Sequence, residues 1–117
     1  MTQYAIFLYA PDADEDREPN PAAGEEHVRY SEQMQASGEM VCAFALEDSS
    51  IATSLRGDVI TDGPFLEAKE VVLGLYVVDA PDLDAALAIA RQNPIHHQGG
   101  GVEVRPVEDS WIRPTSS

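Results

Sequence analysis

Asp62, Glu67, Lys69 and Glu70 place four ionisable side chains within the stretch Asp62-Gly63-Pro64-Phe65-Leu66-Glu67-Ala68-Lys69-Glu70. That density offers a carboxylate for proton transfer and a mixed-charge clamp for a ligand. Asp-Gly-Pro is also a turn signal, because Gly permits positive φ and Pro fixes its own φ and restrains the residue before it. A turn that only reversed the chain would not need so many charges. Asp62 is therefore a candidate catalytic carboxylate, and Gly63, Pro64, Phe65, Glu67, Lys69 and Glu70 are candidate ligand-binding residues. His27 is the candidate general base, since imidazole titrates near neutrality. Arg105 can hold an anionic substrate group bidentately. Each has a plain structural alternative. His27 can pack as a hydrogen-bonded core residue, Asp62 can cap its own turn, and Phe65 can plug the loop onto the core. Lys69 and Arg105 can each pair with a neighbouring acid at little energetic gain.

Other residue types that carry chemistry are less promising. Cys42 is the single cysteine, lies in an apolar run and has few cations to activate it, so it reads as a buried inert thiol. His96-His97 precedes Gly99-Gly100-Gly101, but adjacent residues rarely face one metal and no acidic or Cys partner stands at ligand spacing. The glycines follow a helix rather than open one, so they read as a flexible connection, not a phosphate cradle. Asp12-x-Asp14-x-Asp16 resembles the start of a calcium loop, yet the expected Gly and closing Glu are missing. No metal and no cofactor is expected. The acidic run from Asp12 to Glu26 reads as a solvated loop and a helix N-terminus whose dipole favours carboxylates.

The net charge of −14, from seven basic against twenty-one acidic residues, argues against nucleic acid and anionic membrane as partners. No apolar run approaches the ~20 residues of a membrane span. No basic segment precedes the apolar Tyr4–Ala10, which is read as the first strand of a cytoplasmic protein. With 117 residues the chain is expected to form one domain over 1–117.

The elements that must position these side chains are legible from periodicity. Tyr4–Ala10 reads as a buried strand ending at Pro11. Asn20-Pro21 opens a helix that Gly38 closes, with Ala23, His27, Tyr30, Met34 and Ser37 on one stripe. Met40–Leu46 is a second strand, and Ile51–Arg56 and Val59–Thr61 form a hairpin around Gly57-Asp58. Val71–Val78 alternates little, which suggests burial on both faces. Leu83–Gln92 is a helix ended by Asn93-Pro94, and Val102–Val107 is the last strand. The order β-α-β, hairpin insert, β-α-β is the split-βαβ, ferredoxin-like α+β arrangement, an antiparallel sheet with both helices on one face. Its bare apolar face predicts a homodimer packed sheet against sheet.

Four features resemble one family: the aromatic-aliphatic first strand, an early helical His27, Asp62-Gly63-Pro64-Phe65 with Glu67-x-Lys69-Glu70, and Val102-Glu103-Val104-Arg105-Pro106-Val107. The chain is similar to the DGPF branch of the YCII-related proteins over nearly its whole length. The resemblance implies a dimeric α+β barrel of ferredoxin-like subunits, bacterial and cytoplasmic, with no assigned reaction. Some similar proteins accompany sigma factors of the extracytoplasmic-function type, which implies a regulatory setting. In the wider group a His in the first helix and an Asp before a Pro after the second helix are a proposed catalytic pair, and at least one relative removes chloride from a chlorinated hydroxyquinol. His27 matches the first position, whereas Asn93 stands at the second, where it can neither take a proton as a carboxylate nor offset an imidazolium. The expectation is a small-molecule site near His27 and the DGPF loop with His-assisted acid–base chemistry. The alternatives are a non-catalytic ligand- or partner-binding module and metal-free oxygenase chemistry.

Overall fold

Four strands carry the molecule: β1 (Thr2–Pro11), β2 (Met40–Ala45), β5 (Glu70–Ala80) and β6 (Gly101–Pro106) form one sheet in the order β2-β5-β1-β6, every neighbour antiparallel. Helices α1 (Pro21–Ser37) and α2 (Leu83–Arg91) cover one face, and β3 (Thr53–Arg56) with β4 (Val59–Asp62) makes a separate two-stranded ribbon. The computed structural model describes residues 1–11, 21–63 and 70–115. The acidic stretch 12–20, including the Asn20 cap expected for α1, and residues 64–69 of the charged segment lie outside the described residues. The arrangement is the ferredoxin-like α+β fold expected from the element order.

Alternation sorts the strands into two faces. Tyr4 and Ile6 of β1 and Tyr76, Val78 and Ala80 of β5 turn toward the helices and are buried with Tyr30, Met34, Ala86, Ile89 and Ala90. Ile6 and Val78 are fully removed from solvent, each worth about 2 kcal/mol of transfer free energy. On the opposite face Phe7, Leu75 and Val77 are half-buried and Phe44, paired with Leu75, is 59% exposed. β5 therefore alternates after all. The lack of sequence alternation reflects apolar side chains on both faces rather than equal burial of both.

Two irregularities shape the sheet. The β1–β5 register slips between Leu8 and Tyr9, so Leu8 faces Gly74 while Tyr9 faces Val72. The β2–β5 register slips between Met40 and Cys42. Just beyond, β2 crosses β5 so closely that a Cβ on Gly74 would run into the Phe44 carbonyl oxygen.

The helix and turn boundaries have local causes. The Asp82 carboxylate accepts from Ala85 N at 2.9 Å and caps α2. Asp48 accepts from Ser50 N at 2.9 Å and starts a 3-10 turn over Ser49–Ile51, so β3 begins at Thr53 rather than Ile51. The ribbon exposes Leu55 (65%) and Ile60 (69%), which pair across it on one face. Among the described residues no helix is long and apolar enough to cross a membrane.

Candidate functional site

A cavity of about 270 Å³ lies between α1 and the β2–β5 side of the sheet. His27, Tyr30, Ser31 and Met34 reach it from one face of α1, as their i, i+3, i+4, i+7 spacing requires. Met40, Ala43 and Ala45 of β2 and Gly74 and Tyr76 of β5 form the opposite wall. Ala43 and Ala45 are exposed, which marks the open side at the β2 edge. The lining is mostly apolar, and among the described residues no Asp, Glu, Lys or Arg belongs to it.

The polar floor is a directed chain of hydrogen bonds. The Tyr30 hydroxyl donates to the Ile89 carbonyl at 3.0 Å and lies 2.8 Å from the Tyr76 hydroxyl. Tyr30 has one proton, committed to Ile89, so Tyr76 donates to Tyr30. Asn93 Nδ2 in turn donates to Tyr76 at 3.4 Å, while its Oδ1 accepts from Ile95 N at 2.9 Å and caps the 3-10 turn Pro94–His97. The two rings meet edge to face, 5.9 Å between centroids at 80°. Burial raises both phenols above their ordinary range and is the largest cause for each. At Tyr30 the bond from Tyr76 adds to the rise, and at Tyr76 the contacts with Tyr30 and Asn93 partly offset it. Both are neutral hydroxyls at physiological pH.

His27 is held from the far side. Its Nε2 lies 2.9 Å from Gln98 Oε1, and Gln98 Nε2 donates to the Ala23 carbonyl at 3.5 Å. That second bond sets the amide's orientation, so His27 carries its proton on Nε2. The two neighbouring histidines are tied elsewhere. His96 Nε2 donates to the Ala90 carbonyl at 3.0 Å, and His97 pairs with Glu26. His96 and His97 thus close the 3-10 turn Pro94–His97, and Gly99 and Gly100 follow it before Gly101 opens β6. Among the described residues no group of metal-ligating side chains occurs.

The residues singled out from sequence do not converge as a set. His27 lines the cavity; Asp62 is exposed at the end of β4 and is not part of the lining. The ring partner of His27 is Gln98, not Asp62. Gly63 sits at φ 99°, bonded through its N–H to Ala52 O at 2.6 Å and through its carbonyl to Ser54 Oγ at 2.7 Å. Pro64, Phe65, Glu67 and Lys69 lie outside the described residues. Glu70 is exposed and borders a separate open depression with Tyr9 and Glu103. Arg105 is exposed on β6 opposite Ala5, on the face away from the helices, and does not line the cavity. Tyr30, Tyr76 and Gln98 are not among the site residues expected from sequence, and Asn93 is expected there only as the residue that replaces an Asp. The signals available were the α1 stripe for Tyr30 and, for Tyr76, a Tyr in an apolar strand whose hydroxyl must find a partner.

An uncharacterised protein of Rhizobium meliloti (strain 1021) is 44% identical over 76 residues, an overlap that covers 61% of this chain and 61% of that relative. The family model of the YCII-related domain matches residues 2–111. The match takes in both helices and all four strands of the main sheet, and on that extent the chain belongs to the YCII-related domain family.

Proposed function

We propose that this chain is a small-molecule-binding protein whose ligand occupies the cavity beside His27. The observation that carries the reading is the cavity itself: apolar walls with a few convergent polar groups and an imidazole on the rim of a folded core. Binding is favoured over acid–base catalysis because the ring's partner is the neutral amide of Gln98. An amide orients an imidazole but does not offset the charge of an imidazolium. Asn93, in place of the family's Asp, is engaged in the floor as a neutral donor. His-assisted proton transfer is the second reading, supported by the ring nitrogen that Gln98 does not engage. A cytoplasmic, regulatory setting fits the binding role.

The test is a fragment screen by NMR, read on the Met34 and Met40 methyl groups that line the cavity. Fragments that move both signals should lose their effect in Ala43→Trp, because Ala43 is exposed at the cavity's open side and a large ring there blocks it without entering the core. Responses that survive the substitution would place the binding elsewhere.

The homodimer belongs to the same proposal. Phe7, Phe44, Leu75 and Val77 make an apolar sheet face on the side away from α1 and α2, and a second copy's equivalent face is its occupant. Light scattering at micromolar concentration should give the mass of two chains; the mass of one would overturn the dimer.

A further inference from the structure

We infer that the cavity selects an uncharged molecule with an apolar body that presents a hydrogen-bond donor to His27. This rests on the binding role proposed above and specifies its ligand class. Charge is the first filter. Among the described residues the lining holds no ionised side chain, so an ionised ligand would give up its hydration with nothing to replace it. An anion would also approach a chain of net charge −14.

The sense of the hydrogen bonds is the second filter. His27 spends its ring proton on Gln98, so a neutral imidazole there keeps a lone pair on Nδ1 and accepts. Tyr30 spends its hydroxyl proton on Ile89, and Tyr76 spends its own on Tyr30. What the two hydroxyls have left is lone pairs. Ser31 accepts from Gln35 at the exposed rim and keeps its own hydroxyl proton, and Asn93 has a second amide N–H. At the His27 ring and the two phenol oxygens, by contrast, the lining accepts. An alcohol or N–H group directed at His27 finds a partner there, whereas a ketone or ether oxygen in the same place meets an acceptor.

Three probes of one shape separate the filters: cyclohexanol, cyclohexanone and cyclohexanecarboxylate, titrated into the full chain at about pH 8, where imidazole is ordinarily neutral. Met34 and Met40 report the cavity, and Met1, 91% exposed, is the internal control. Cyclohexanol should shift both cavity methyls and the His27 ring signals, with the ketone roughly tenfold weaker and the carboxylate silent. His27→Phe should bring the alcohol down to the ketone's affinity, while His27→Gln, which keeps an acceptor, should retain part of the preference. If ketone and alcohol bind equally to the same methyls, the donor rule fails and the binding role stands. If the carboxylate binds as well as the alcohol, the charge filter fails. If none of the three moves Met34 or Met40, the binding role itself fails.

Discussion

Gly74→Ala is expected to destabilise the protein by about 3 kcal/mol and to lower its Tm by roughly 10 °C. The added methyl meets the Phe44 carbonyl oxygen, with the Ala45 Cα next at 3.3 Å. Both are backbone atoms of β2, so no side chain can swing aside. Either β2 moves outward and loses its ladder with β5, or the clash stays. Because Gly74, Phe44 and Ala45 all border the cavity, the displacement should also abolish the responses of the Met34 and Met40 methyls to fragments. Gly24→Ala is the matching control. Gly24 lies inside α1, and among the described residues nothing outside that helix's own backbone comes within 4 Å of an added Cβ, so the change should raise stability by about 0.5–1 kcal/mol through helix propensity. Thermal melts of the two variants check the contrast. Equal and small effects would mean that β2 and β5 are not so closely apposed.

Asn93→Asp is expected to cost about 3 kcal/mol at neutral pH. The side chain is 4% exposed. A carboxylate can still accept from Ile95 N but cannot donate to the Tyr76 oxygen as Asn93 does. Tyr76 would have to turn its proton toward residue 93, and Tyr30 would then lose the donor it now receives. Burial disfavours the charged form and raises the carboxyl's folded-state pKa. Stability is therefore full below the unfolded carboxyl value of ~3.9 and lost as pH rises through the raised folded value. Chemical denaturation at about pH 5 and pH 8 should show the deficit against the parent protein widening at the higher pH. A deficit independent of pH would mean that the new carboxylate is solvated. The substitution restores the residue type of the family's proposed pair, so a gain of turnover in this variant would favour the acid–base reading.

How far the sequence could be read differs between scaffold and site. Strand identities followed from apolar runs such as Tyr4–Ala10, and the α1 stripe put His27, Tyr30 and Met34 on one face, where they are. Local side chains misled at Ile51, where the Asp48 cap turns the chain before β3 starts. The site was harder because its contacts are long-range. His27 and Gln98 are 71 positions apart, and Tyr30 and Tyr76 are 46 apart. No spacing rule reaches that far. Density of charge drew attention to Asp62 and Glu70, which lie off the cavity, while the groups that shape it are amides and hydroxyls scattered through ordinary core elements. Asn93 looked like a loss because only its missing charge was visible, whereas its donor N–H matters once Tyr76 stands beside it.

The closed hydrogen-bond chain beneath the cavity has a consequence for the energetics of occupancy. Asn93, Tyr76, Tyr30 and the Ile89 carbonyl satisfy one another, and among the described residues no buried side-chain polar atom lacks a partner. The floor is thus preorganised. A guest neither inherits an orphaned group nor has to break a bond to enter, and its departure leaves no debt of solvation. Affinity should then track the fit of the guest's apolar body and its one bond to His27, with little entropy spent on ordering the protein around it.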